Sequence, residues 1–285
     1  MTSEPFIRFA CFAGVFALMA LWEVFAPRRE RTVTRAARWP NNLGVVAVDT
    51  LLVRFLLPTA AVGVALHAEA NGWGLLAFLG WPYWLKIAVA VVALDLAIYL
   101  QHVLFHAVPT LWRLHRMHHA DLDIDVTTGV RFHPIEILLS LVIKIGVVAA
   151  LGAPAVAVLI FEILLNATSM FSHSNVRLPG PIDGVMRWLV VTPDMHRVHH
   201  SIDPRETNTN FGFNFSVWDR LFGTYLPAPA AGHAGMTIGL TQFRDPAELR
   251  LDRMLTQPFR EDSGPQPFNA SSGLTPDRGA DKPAP

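Results

Sequence analysis

The chain has 285 residues, of which 52% are hydrophobic and 16% charged, and its 23 basic and 23 acidic side chains cancel to a formal net charge of zero. A soluble globular domain carries roughly 25% charged residues, so this composition, with a mean hydropathy of +0.34, points to a chain that keeps much of its length in lipid. Balanced charge gives no electrostatic basis for nucleic-acid binding, and a single cysteine, Cys11, excludes a disulfide framework and a cysteine-ligated zinc site.

Five apolar stretches approach the roughly 20 residues needed to cross a bilayer. The first, 6–26, is long, lacks a small-residue cleavage site and runs into PRRER, which favours a membrane anchor over a signal peptide. The second, 44–66, carries Asp49 and Arg54. A short apolar piece at 74–80 precedes the third, 84–106. The fourth and fifth, 135–151 and 154–171, are joined by Gly-Ala-Pro at 152–154, a helix stop and restart that predicts a hairpin. Lys144 and Glu162 stand nine residues either side of Ala153; equal depth on the two arms predicts a buried ion pair, because ionisable groups inside a membrane are paired or functional.

The arginine-rich stretch PRRERTVTRAARWP after the first span sets the orientation with that segment in the cytoplasm. Counting spans from there, 67–83 lies on the far side, and 107–134 and everything after 172 return to the cytoplasm. Beyond Tyr225 the composition turns rich in Pro, Gly and Ser, which predicts a disordered tail interrupted by one amphipathic interfacial helix over 245–260. The chain thus divides into N-terminal membrane helices with a linker (1–83), a histidine-bearing unit (84–226) and a tail (227–285).

Most of the 12 histidines fall into short clusters: HVLFH (His102, His106), HRMHH (His115, His118, His119), an isolated FSHSN (His173) and HRVHH (His196, His199, His200). On a helix, residues three and four apart share a face, so each box can aim its imidazoles one way. The topology brings both HRxHH boxes to the same side of the membrane. Neutral imidazole is the commonest protein ligand for first-row metals. Nine are too many for one ion and suit two. Asp95, two turns before His102, is the candidate carboxylate supporting a ligating imidazole; His133 suits a supporting or helix-capping place, and Asp194 suits the N-cap of the helix bearing the last box.

The run DLAIYLQHVLFH, LWRLHRMHHAD, RFHPIE, HSN, TPDMHRVHHS and NFGFNFSVWDRLFGTY resembles the fatty acid hydroxylase/sterol desaturase superfamily across about residues 90–226. The resemblance implies an all-α integral membrane protein: four to five embedded helices with a cytoplasmic helical cap holding a histidine-rich di-metal site. It further implies a non-haem di-iron oxygenase, with the nine histidines as iron ligands, acting with O₂ on a lipid drawn from the bilayer. The chain departs from the pattern at Ser169, where some relatives carry His or Gln, which leaves one coordination position to water or another residue. Hydroxylation is slightly favoured over desaturation, since it demands no second hydrogen abstraction. No CxxC pair or Gly-rich dinucleotide fingerprint is present, so electrons must come from a separate reductase, ferredoxin or b-type cytochrome. The composition suits a bacterial inner membrane. Two other readings stay open on the residues alone: a non-catalytic metal-binding membrane protein, and a membrane zinc hydrolase, although no box contains the acidic residue of H-E-x-x-H.

Overall fold

In lipid every backbone polar group must be satisfied within its own segment, and the apolar runs meet that demand as helices. The computed structural model describes residues 4–57 and 60–261. The first span is α1, Glu4–Phe25. The second apolar stretch forms two helices, α2 (Arg35–Leu56) and α3 (Ala60–Asn71), rather than the one expected. The short piece is α4, Leu75–Phe78, and the third span is α5, Tyr83–Ala107. Val108-Pro109 ends α5 and starts α6, Pro109–His119, which carries HRMHH. The hairpin arms are α7 (Pro134–Leu151) and α8 (Ala155–His173), followed by the short helices α9 (Gly180–Met186) and α10 (Pro193–His199). No strand occurs among the described residues. Five helical stretches are long and apolar enough to cross a membrane, one of them comprising α2 to α4 together. Outward-facing Phe6, Phe9, Leu51, Phe55, Trp84 and Val142 are exposed, as a lipid-facing surface requires.

The spans share a common polarity. At one end the hairpin turns at Gly152, whose φ of +61° is a left-handed helix stop. There Gly74 and Gly152 meet so closely that a Cβ on Gly152 would stand 1.9 Å from the Trp73 carbonyl oxygen. Glu69, near the end of α3, accepts from the Ala155 backbone N–H (3.2 Å) and from the Tyr83 hydroxyl (3.1 Å), which ties α3, α5 and α8 together at that end. Between the ends, Leu94, Ile98, Leu141, Val158 and Phe161 form the main apolar core. The expected Lys144–Glu162 pair is present, and Arg8 of α1 joins it, its Nη2 2.5 Å from Glu162 Oε2.

The opposite end is polar and holds all the histidine boxes. The loop after α6 reads D-L-D-I-D, and each aspartate binds the segment that precedes or opens α2. The wholly buried Arg38 forks onto Asp121 (Nε–Oδ1 2.8 Å, Nη2–Oδ2 2.7 Å) and reaches Asp125 with Nη1 (2.5 Å). Asp123 accepts from the Thr32 backbone N–H at 2.7 Å. Glu23 of α1 accepts from the backbone N–H groups of Val126 (2.7 Å) and Asn175 (3.0 Å), which links this loop to the chain leaving α8.

The segment after Tyr225 departs from expectation. Over 227–244 it is packed rather than loose: Met236 and Ile238 are buried, and Arg29 donates to the Met236 carbonyl at 3.0 Å. In place of one interfacial helix over 245–260 there are three short pieces, Pro246–Leu249, Leu251–Thr256 and Gln257–Phe259. Arg113 Nε and Arg116 Nη2 of α6 reach the carbonyls of Pro258 (2.7 Å) and Gln257 (2.5 Å), so this segment is a strap over the helix carrying HRMHH. The Pro- and Ser-rich stretch predicted to be disordered beyond 262 lies outside the described residues.

Removing one partner of a buried ion pair costs ~3–5 kcal/mol because a charge is left unpaired. Arg38→Leu is therefore expected to lower stability in detergent by about that amount. Arg38→Lys should lower it too, since an ammonium cannot fork onto a carboxylate. Wild-type unfolding temperature in Arg38→Leu contradicts this account.

Candidate metal centre

Four elements deliver the nine histidines of the boxes: the end of α5, α6, the last residue of α8, and α10 with His200 just beyond it. All nine are buried. They fall into two groups whose candidate ligand atoms lie within 4.8 Å of one another: His102, His106, His115, His119 and His199 in one, and His118, His173, His196 and His200 in the other. Each HRxHH box is shared between the groups. His115 and His119 lie apart from His118, and His199 apart from His196 and His200, because successive helical positions fan outward by about 100°.

The rings are oriented from behind. Nδ1 faces an oxygen acceptor in six cases: His102 the Phe211 carbonyl (2.8 Å), His106 the Asn208 side-chain oxygen (3.4 Å), His115 Glu136 Oε1 (2.6 Å), His118 the Arg131 carbonyl (3.0 Å), His173 the Ser169 carbonyl (2.7 Å) and His199 the Thr209 carbonyl (2.8 Å). An acceptor at Nδ1 holds the proton there and leaves Nε2 with its lone pair turned inward. The inward atoms then crowd. Nε2 of His102 and His115, of His118 and His173, and of His173 and His196 stand 3.1 Å apart. Buried Nε2 of His106, His119 and His199 has no hydrogen-bond partner among the described residues. In the first two of these pairs both rings have their Nδ1 on an acceptor, so lone pairs face one another and repel unless a cation lies among them. The donor set therefore fits metal ions, all-nitrogen and neutral, which suits iron, copper, nickel or zinc better than a hard oxygen-seeking cation.

Protonation does not compete with such a cation. Burial, and then the neighbouring imidazoles, push the basicities of His118, His119, His196, His199 and His200 well below the ordinary histidine range. Phe132 stacks on His118 with ring centres 4.3 Å apart, and Phe213 stands edge-on to His102 at 5.1 Å, so apolar rings cover the imidazoles on that side.

Among the described residues Asp95, His133 and Asp194 make no hydrogen bond to a box imidazole, and of the places expected for them His133 takes the helix-capping one. Asp95 makes no hydrogen bond to an imidazole; it accepts from the backbone N–H groups of Asn214 and Phe215 (both 3.2 Å) and from Trp218 Nε1 (2.8 Å). It thus anchors the NFGFNFSVWD loop, whose Phe211 carbonyl orients His102. His133 caps α7, accepting from the Ile135 N–H at 3.2 Å, and its Nε2 faces the Leu255 carbonyl at 3.2 Å, away from the cluster. The N-cap of α10 is Thr192, not Asp194. Asp194 sits inside the first turn and pairs with Arg28 (2.9 Å) and Arg197. Ser169 is 4% exposed and donates to the Gly129 carbonyl at 2.6 Å, while its own carbonyl steers His173. The supporting carboxylate that sequence reasoning missed is Glu136. Its signal was an acid in the first turn of a largely apolar span, two residues after Pro134.

A carboxylate behind a ligating imidazole raises its basicity and fixes its ring, and losing one costs roughly tenfold to a hundredfold in metal affinity. Glu136→Leu is expected to weaken metal binding by that factor and Glu136→Gln, which keeps an acceptor, by less. Competition with a coloured chelator measures both. Equal affinity in all three proteins contradicts the assignment.

Comparison with known proteins bears on the same residues. The fatty acid hydroxylase family matches residues 87–224. An ornithine lipid hydroxylase of Rhizobium tropici is 32% identical over 238 residues, covering 79% of this chain and 70% of that protein. An alkylglycerol monooxygenase of Xenopus tropicalis is 27% identical over 173 residues, 60% of this chain and 36% of the relative. A cholesterol 25-hydroxylase of Rattus norvegicus is 27% identical over 147 residues, 50% of this chain and 47% of the relative. No solved structure matches the chain.

Proposed function

The chain belongs to the fatty acid hydroxylase/sterol desaturase superfamily, and from that premise we propose that it is a membrane-bound, O₂-dependent lipid hydroxylase with two irons held by its nine clustered histidines. One observation carries the reading: two groups of buried imidazoles stand with ring nitrogens turned on one another, and His102 and His115 of the larger group line a cavity that reaches along α2, α5 and α7. Bound there, iron would activate O₂ and supply the oxidising power. The group of five would take one iron and the group of four the other.

The protein's own part is positional. Glu136 and the carbonyls of Phe211, Arg131, Ser169 and Thr209 hold the imidazoles in one tautomer and one orientation. Phe132 and Phe213 border the imidazoles and keep water from the reacting carbon. Of the O₂, one atom would enter a C–H bond of the lipid and the other leave as water, which consumes two electrons and two protons. The chain offers no redox group of its own sequence type for this, so a separate reductase, ferredoxin or b-type cytochrome would deliver them. By the arginine distribution the histidine-bearing end would face the cytoplasm of a bacterial inner membrane, with the polar end as the cap on which the donor docks.

Purified, iron-loaded protein supplied with a ferredoxin–reductase couple and a bacterial lipid extract under ¹⁸O₂ is expected to yield lipids heavier by one labelled oxygen, and His118→Ala or His199→Ala should abolish them. Label-free products, or lipid hydrolysis supported by zinc, would overturn this reading.

A further inference from the structure

Beyond α8 the chain has left the long apolar helices, yet two short segments still turn large apolar side chains outward. In the first, Ile182 and Val185 of α9 are exposed, three residues apart on one face, and so are Trp188 and Leu189 in the turn that follows. In the second, the short helix Val217–Leu221, Leu221 and the adjoining Phe222 are exposed. Among the described residues after α8, every exposed large apolar side chain except Phe259 belongs to these two segments. They form one face. The Ser216 N–H donates to the Leu189 carbonyl at 3.1 Å, and Arg220 Nη2 donates to the Arg187 carbonyl at 3.0 Å. A contiguous apolar patch of this kind marks contact with protein or with membrane.

The depth of the face is set by α5. The Tyr83 hydroxyl at the start of α5 and the Ala155 N–H at the start of α8 donate to the two oxygens of Glu69, so both helices start at one level. With a rise of 1.5 Å per residue, Asp95 and Tyr99 stand roughly 18 and 24 Å above that level, and His173 at the end of α8 roughly 27 Å. Trp218 Nε1 donates to Asp95 at 2.8 Å, and Phe222 stacks on Tyr99 with ring centres 5.4 Å apart. Both therefore meet α5 below the end of α8, within the hydrocarbon layer of roughly 30 Å that such an arm spans. Leu100, next to Tyr99, and Leu104 one turn on are exposed as well, so the patch continues the outward surface of α5. The charges of the two segments are all engaged. Asp183 pairs with Arg187, and Asp219 accepts from the Phe211 and Gly212 N–H groups at 2.7 and 2.9 Å. Arg220 lies over the rings of Trp188 and Tyr225, 4.0 and 3.9 Å from their centres. An arginine laid along aromatic rings suits the head-group level of a bilayer.

We propose that this face is a membrane-contact surface, seated among the acyl chains just below the phospholipid head groups of the leaflet in which α5 and α8 end. Its occupant is lipid rather than a second protein, because a partner arriving from water would have to pass the head groups to reach side chains level with Tyr99. The chain after residue 172, expected to lie wholly outside the membrane, thus returns to it through two segments. Between them runs the stretch 190–216, which bears His196, His199 and His200 together with the Thr209 and Phe211 carbonyls that face His199 and His102. The bilayer holds both ends of that stretch, so the seating of these histidines depends on lipid as well as on packing within the protein. The contact is independent of the reaction carried out at the metal centre.

The test uses full-length protein in phosphatidylcholine nanodiscs, with Cys11→Ser as the common background. An environment-sensitive fluorophore is attached singly through Val185→Cys and Leu221→Cys, at side chains 74% and 67% exposed. Phe55→Cys, on the outward face of α2, is the lipid reference, and Arg205→Cys, exposed after α10, is the water reference. One quencher is phosphatidylcholine carrying a nitroxide high on its acyl chain; the other is iodide in the water. The labels on the proposed face are expected to lose fluorescence to the nitroxide lipid about as fully as the Phe55→Cys label, and to resist iodide severalfold better than the Arg205→Cys label. Iodide quenching equal to that of the Arg205→Cys label overturns the proposal. Protection from both quenchers overturns it too, since the cover would then be protein, such as a second copy of this chain. Val185 and Leu221 stand on separate segments, so if one variant does not fold the other decides.

Discussion

Nine buried imidazoles crowded with ring nitrogens facing one another are an arrangement that cannot be stable by itself. Nε2 atoms 3.1 Å apart with a lone pair on each repel, as for His102 with His115 and His118 with His173. Only positive charge placed among them turns the repulsion into attraction. The rest of the polar end can be understood as what is needed to hold that geometry. Carbonyl oxygens from two loops and from α8, with the carboxylate of Glu136, fix the rings from outside, and the loops are in turn fixed by Asp95 and by the D-L-D-I-D aspartates.

The membrane topology and the metal chemistry therefore support each other. The five helical stretches long and apolar enough to cross a membrane bring the ends of α5 and α8 together at one end of the bundle, and the short helices α6 and α10 lie beside those ends. The cost is a set of ionisable groups buried near or within the spans, and each is met by a specific partner: Arg38 by Asp121 and Asp125, Glu162 by Lys144 and Arg8. Asp49 departs from that rule: its buried Oδ1 has no hydrogen-bond partner among the described residues.

Much of this was legible in the residues. The apolar runs marked the spans, Gly-Ala-Pro marked the hairpin, equal spacing about Ala153 paired Lys144 with Glu162, and i, i+3 and i, i+4 spacing put the histidines on shared faces. What periodicity could not give was long-range contact. Asp95 is correctly placed for a role near His102, yet its carboxylate acts through a loop more than a hundred residues away. Glu136, an acid in the first turn of α7, is the one carboxylate among the described residues that touches a cluster imidazole. The region after Tyr225 has the composition of a loose tail but is ordered over 227–261 by contacts with Arg29, Arg113 and Arg116, which no local pattern reveals. The division of the nine histidines into five and four likewise depends on how α5, α6, α8 and α10 converge, not on the order of the boxes.

The central claim is that the two imidazole groups each hold one metal ion. X-ray absorption on iron-loaded protein, with iron counted per chain, tests it most directly. The account predicts two irons per chain and the outer-shell scattering of four to five imidazole rings around each. A single metal ion per chain, or irons carrying only one or two imidazoles, would contradict it.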